Sequence, residues 1–191
     1  MTYEKETLKQ LRISLDEEDD ETSIIPILEN HHKYLKEYIS ILMNSETPAK
    51  DKQATATLFF PIFNMHAKAE EEVFYSTLQD STNKEVRMEG LHGKDEHEIA
   101  YELVDELKQM GAEVSWSEEI DSKMRVLTSL LKNHLKEEEQ VMFPMAEKII
   151  PESKLMDLTD EYLDRCKIYL DMAMEDTPSE VSRSDVITFF Y

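Results

Sequence analysis

The sequence predicts an all-α protein, an up-down-up-down four-helix bundle with an additional C-terminal helix. Three observations lead there. The chain has only three glycines and six prolines in 191 residues, too few to punctuate a multi-stranded fold, whose hairpins each need turn residues. Apolar residues recur at alternating spacings of three and four along several stretches of roughly 20 to 30 residues, which marks one buried face of a helix. Short polar connections separate these stretches, and in a bundle they make sequential helices antiparallel neighbours.

Each element follows from its residues. Behind an acidic lead-in over residues 1–22, Ile25, Leu28, His32, Leu35, Ile39 and Leu42 trace a first helix, with Pro26 in the first turn, where no N–H is needed. Thr47-Pro48 reads as an N-cap followed by proline at the first helical position. It opens a second helix whose apolar face carries Leu58, Phe59, Ile62, Phe63, His66, Val73 and Phe74, with a kink expected at Pro61. The third helix begins between Asn83 and Lys94 and carries His97, Ile99, Ala100, Leu103, Val104 and Leu107. It stops at Gly111, which suits a left-handed C-terminal cap. Ser115-Trp116-Ser117-Glu118 has the spacing of a capping box. A fourth helix follows through Ile120, Met124, Leu127, Leu131, His134, Val141 and Met142, loosened at its end by Pro144 and Pro151. A fifth stretch, near 153–174, contains Leu155, Leu158, Tyr162, Leu163, Tyr169 and Leu170. The expected organisation is therefore an extension (1–22), a bundle (23–150), and a C-terminal helix and tail (151–191).

Charge narrows the partners. Lys+Arg number 21 against 42 Asp+Glu, a formal charge of −21 with an isoelectric point near 4.6. Polyphosphates and anionic lipid surfaces are both held by clustered basic side chains, so neither nucleic acid nor membrane is an expected partner. The longest apolar run, residues 58–63, is far short of the roughly 20 residues of a membrane span. No apolar segment follows a basic start, and the lone Cys166 cannot form an internal disulfide. A cytoplasmic location is the expectation, with Cys166 as a small core residue.

The informative feature is an internal repeat. His66-Ala-Lys-Ala-Glu70-Glu71-Glu72-Val73-Phe74-Tyr75 aligns without a gap with His134-Leu-Lys-Glu-Glu138-Glu139-Gln140-Val141-Met142-Phe143. The preceding helices match as well, His32 through Ile39 against His97 through Val104. The chain is thus two helical hairpins, each bringing one lone histidine and one His-x-x-x-Glu. Residues four apart share a helix face about 6 Å along the axis. Each pair can present imidazole and carboxylate together, and two pairs plus two further histidines converge at one level of a bundle. That donor set suits iron, manganese or zinc, and a carboxylate can bridge two ions.

On His32, His66-x-x-x-Glu70, Glu96-His97 and His134-x-x-x-Glu138, with the aromatic-containing segments that follow, the sequence resembles the hemerythrin-like, or HHE cation-binding, domain family over roughly residues 23–150. The resemblance implies a hemerythrin-like bundle with a non-haem di-iron centre (two irons per chain, manganese or zinc as alternatives) and O2, NO or peroxide as exogenous ligand. By position His32, His66, His97 and His134 would be terminal imidazoles, and Glu70 and Glu138 bridges. Oxygen-carrying hemerythrins have a second histidine where this chain has Tyr101, and an Asp five residues after the last histidine, where this chain has Glu139. These departures move the reading from reversible O2 carriage toward iron handling or oxidative and nitrosative stress.

Several residues have two readings. His31 adjoins His32, which continues the apolar seam and is favoured as ligand. Glu71, Glu72 and Glu139 read as solvated charges, with Glu71 or Glu139 as substitute ligands should the helices rotate. Glu96 and Glu102 read as exposed, with an imidazole N–H as the other use. His92, between Gly90 and Gly93, reads as a non-ligand in a flexible stretch. Tyr101 is a core aromatic or a hydrogen-bond donor to a metal-bound molecule. Functionally, a di-iron protein acting on O2, NO or peroxide stands beside a non-enzymatic iron-binding or iron-sensing module and a plain bundle with structural zinc or no metal. The C-terminal tail is the expected contact for a protein partner or a second copy of the chain.

Overall fold

A computed structural model describes residues 23–176. The lead-in and the end of the tail, with the partner contact expected there, lie outside the described residues. The elements are α1 (Ile24–Met43), α2 (Ala49–Glu70), a π-helical turn π1 (Glu71–Tyr75), α3 (Ser76–Gln79), α4 (Lys84–Gln109), α5 (Glu118–Glu137), a second π turn π2 (Glu138–Met142), α6 (Phe143–Ile149) and α7 (Glu152–Asp176). The segments α2-π1-α3 and α5-π2-α6 each form one continuous rod. With α1 and α4 they make the four-helix bundle, α1 packing on α2 and α5, and α4 on α5 and α3. The fifth helix, α7, lies across α2 and α1.

The apolar stripes explain the packing. Phe59, Phe60, Phe63 and Phe74 are entirely or almost entirely buried, as are Leu28, Leu35, Leu127 and Leu131 from the facing helices. Each such side chain stabilises by about 1.5–3 kcal/mol relative to an exposed one. Cys166 is buried on α7. Val141 and Ile99, assigned to buried faces by periodicity, are 42% and 50% exposed. For Val141 the cause is π2, which widens the turn and takes the residues after Glu138 out of the 3.6-residue register.

The helix ends are partly as read. Gly111 has φ of 79°, and its N–H bonds to Lys108 O while that of Ala112 bonds to Leu107 O, the paired bonds of a Schellman cap. The fourth-helix cap is Ser117, whose hydroxyl accepts from Ile120 N at 3.2 Å. The box from Ser115 does not form, because Ser115 N closes the preceding turn onto Gly111 O. Pro48, rather than Thr47, is the residue flanking α2, and α2 continues through Pro61. Asn83 caps α4 by accepting from Glu85 N. Residues 90–93 are therefore helical rather than flexible.

An ion pair between a buried lysine and a half-buried aspartate ties α2 to the start of α5. Lys52, 3% exposed, donates to Asp121 Oδ1 at 2.5 Å, and Asp121 also accepts from Trp116 Nε1 and Arg125 Nε. Burial pushes the Asp121 carboxyl up, but these three donors outweigh it and hold it well below its ordinary range. A depressed carboxylate contributes stability that is present above its unfolded value, near 3.8, and is lost as pH falls through the lower folded value. Asp121→Asn is therefore expected to destabilise by about 1–2 kcal/mol at neutral pH, since Lys52 loses its charged partner while solvent at the half-buried Asp121 screens part of the effect. The deficit should shrink below pH ~4. Urea unfolding at pH 7 and pH 3 measures both; equal deficits at the two pH values would contradict it.

Candidate metal centre

Four helices bring the six residues of the repeat to one level. His32 comes from α1, His66 and Glu70 from α2, His97 from α4, His134 from α5, and Glu138 opens π2. All are 0–1% exposed. Donor atoms of His32, His66, Glu70 and Glu138 lie within 4.8 Å of one another, as do those of Glu70, His97 and His134. Glu70 belongs to both groups. The Nε2 atoms face the carboxylates: His32 is 3.3 Å and His134 3.4 Å from Glu138 Oε2, and His66 is 3.5 Å and His97 4.0 Å from Glu70 Oε2.

The other imidazole nitrogens are held from outside. Nδ1 of His32 meets Glu139 at 2.9 Å, that of His97 meets Glu71 at 3.1 Å, and that of His134 meets Glu96 at 2.8 Å. An ionised carboxylate only accepts, so each of these nitrogens carries the proton and each Nε2 turns a lone pair inward. His66 Nδ1 lies 2.9 Å from the Tyr162 hydroxyl, itself 2.7 Å from His31 Nδ1. Inside the cluster, His32 Nε2, His66 Nε2, both oxygens of Glu70 and Glu138 Oε2 are buried without a hydrogen-bond partner. Buried polar atoms are almost always paired, and convergent lone pairs are what a cation satisfies. The imidazole and carboxylate set fits iron, manganese or zinc.

A family model, the hemerythrin HHE cation binding domain, matches residues 23–146. The chain belongs to the hemerythrin HHE family. No curated protein and no solved structure matches it.

Within this HHE domain the electrostatics follow from burial. Burial, with the Glu138 charge beside it, raises Glu70 well above the usual carboxylate range. Glu138 goes the other way: burial opposes ionisation, but His134 and His32 outweigh it. Burial and the neighbouring imidazoles lower His66, and burial lowers His97. His134 is raised because Glu138 and Glu96 overcome burial. The hydrogen bond from His32 lowers Glu139 to about 2, and that from His134 lowers Glu96.

Three sequence readings are corrected. Glu71 and Glu139 are not solvated charges: Glu71 accepts from His97 and, at 2.8 Å, from Tyr101, and Glu139 from His32 and Lys36. Glu96 is not merely exposed but holds His134. Tyr101 directs its hydroxyl to Glu71, on the outer side of His97. Glu102 is exposed, and Glu72 sits on the surface, paired with Arg165 at 3.2 Å and with Tyr169. His92, 54% exposed, lies 4.0 Å from Glu137 on the outside of α4.

Two tyrosines were not singled out for the centre. Tyr75 donates to Glu138 Oε1 from the end of π1, and its place in the repeat, opposite Phe143, was a visible signal. Tyr162 comes from α7, outside the matched residues. His31 stands where the second hairpin has Glu96; an imidazole cannot supply that carboxylate, and α7 brings a phenol that serves both His31 and His66. Tyr162→Phe is expected to weaken metal binding about 10–100-fold, the usual effect of losing an outer partner, with helix content unchanged. Titration with a chelator competitor reads this directly; unchanged affinity would show that Tyr162 only fills space.

Proposed function

We propose that the chain is a non-haem di-iron protein in which His32 and His66 hold one iron, His97 and His134 the other, and Glu70 and Glu138 bridge them. The observation that carries the reading is the set of inward, unpartnered donor atoms on Glu70, Glu138, His32 and His66, backed by imidazoles whose outer nitrogens are already engaged. Manganese or zinc would satisfy the same donors, and iron is preferred for the mixed imidazole and carboxylate set.

Bound iron would supply a Lewis-acidic, one-electron redox centre able to take O2, NO or peroxide. The chain's own residues orient and insulate it. Glu71, Glu96, Glu139 and Tyr162 fix the imidazoles, and Phe63, Phe74 and Phe143 make a dry apolar wall that admits a small uncharged molecule and keeps bulk water out. We assign the protein to iron handling or oxidative and nitrosative stress, acting on these small ligands in the cytoplasm. No helix among the described residues is long and apolar enough to cross a membrane.

A second reading, an iron-binding or iron-sensing module without turnover, is favoured by the adjacent buried carboxyls of Glu70 and Glu138, which ionise together only when a cation offsets their charge and so link folding to the cation. Elemental analysis of the purified chain tests the shared core: about two irons per chain are expected, and no metal after anaerobic reconstitution with ferrous iron would refute it. Catalytic consumption of peroxide or NO by the loaded protein selects the first reading, and stabilisation without turnover selects the second.

A further inference from the structure

One hydroxyl breaks the symmetry of the repeat. Tyr75 and Phe143 occupy equivalent places in the repeat, each five residues after its glutamate, Glu70 or Glu138; Tyr75 ends its π turn and Phe143 directly follows the other. Phe143 stacks on His32 with ring centroids 5.4 Å apart and planes at 28°, and Tyr75 stacks on His97 at 5.3 Å and 27°. The rings are thus placed alike, and only Tyr75 adds an oxygen. That oxygen donates to Glu138 Oε1 and lies 3.4 Å from His134 Nε2, with the whole side chain buried.

The fold makes room for it. A Cβ on Gly93 would stand 2.7 Å from the Tyr75 hydroxyl oxygen and from Cζ, so no other residue fits there without displacing the phenol. Gly93 lies one turn before His97; one turn before His32 the first hairpin has the fully buried Leu28. Glycine inside a helix weakens it, and here it is used on the side where the ring carries a hydroxyl.

We propose that Tyr75 is a metal ligand, its phenolate oxygen binding the ion held by His97 and His134. The assignment rests on the di-iron reading above. Two donors bound to one ion at roughly 2.0–2.2 Å, at tetrahedral to octahedral angles, stand about 3–3.5 Å apart. The Tyr75 oxygen has that spacing from His134 Nε2, as Glu138 Oε2 does at 3.4 Å. On ligation the phenol O–H bond breaks, the oxygen keeps the electron pair and donates it to the cation, and the proton passes to solvent. The two ion positions then differ. The His97/His134 position gains an anionic donor that favours the ferric state, while the His32/His66 position faces Phe143 and keeps a coordination site for the small molecule.

The test uses the full chain, loaded anaerobically with ferrous iron, oxidised with ferricyanide and desalted. A visible phenolate-to-iron charge-transfer band is expected, with phenolate ring modes in resonance Raman spectra excited within it. Tyr75→Phe should abolish both while keeping its iron, since His97, His134 and the two glutamates still hold the ion. Tyr101→Phe should retain band and iron alike. Gly93→Ala, which favours the helix, should keep the iron but diminish the band as its methyl group crowds the hydroxyl. Two irons without the band, or a band that survives in Tyr75→Phe, would overturn the ligand assignment alone. A wild-type chain that takes up no iron would overturn the di-iron reading with it.

Discussion

Glu138→Ala is expected to lose most of its metal, and His66→Ala to lose it at the His32/His66 position, while both keep the helical signature of the parent. The expected loss of affinity exceeds about 100-fold, because removing a ligand costs more than removing the outer partner of one. Glu138 is the harsher site because its Oε2 lies 3.3 Å from His32 and 3.4 Å from His134, one imidazole from each half of the cluster. Folding should survive in both: Glu138 is buried with Oε2 unpartnered, so its removal leaves the bundle's apolar seam intact. His92→Ala, on the exposed face of α4, should change neither metal nor fold. Metal per chain beside far-ultraviolet circular dichroism reads all three, and full metal retention in both of the first two variants would reject the ligand set.

Glu70→Met is expected to reverse its effect with metal. In chelator the variant should be more stable than the parent by about 1–3 kcal/mol, since it replaces a buried acid that lacks a hydrogen-bond partner with an apolar chain of similar length. With iron at about 1,000 times its dissociation constant, the parent gains about 4 kcal/mol by mass action that the variant forgoes. The pH dependence has a definite sign. Glu70 is raised above its ordinary value of 4.5, so over the interval above pH 4.5 the metal-free native state holds a proton that the unfolded chain has released. Stability contributed by that proton falls as pH rises through the folded value. The lowered His66 and His97 act oppositely: below 6.5 the unfolded chain takes up protons that the native state refuses, so stability falls with acidification there. Glu70→Met removes only the first slope. Urea unfolding in chelator from pH 5 to pH 8 measures it, and a variant weaker than the parent without metal would mean that Glu70 is satisfied within the protein.

The helices and the six convergent residues could be read from spacing, because each depends on contacts within one or two turns. Three-and-four apolar spacing places a residue on a face whatever packs against it, which is why His32, His66, His97 and His134 fall at one level with Glu70 and Glu138. Glycine past Leu107 and Lys108 ends a helix by its own backbone freedom, and Gly111 does so. The same logic failed at Val141, where the π turn replaced the period on which the reading relied.

What surrounds the six residues was decided by the tertiary structure. Glu71 and Glu139 follow bridging-type glutamates in a string of acids, and nothing local separates them from Glu72; two π turns swing them toward imidazoles on other helices and leave Glu72 at the surface. Tyr162 stands 96 positions from His66 and 131 from His31, a distance over which no periodicity carries information. Tyr75 was visible as the residue opposite Phe143, yet only the packed chain shows its hydroxyl on Glu138 and the gap left for it by Gly93. Periodicity along each helix determined the fold and the inward donors. Which carboxylates and phenols orient those donors depended on how the helices pack, because a hydrogen bond between distant residues exists only once the chain has brought them together.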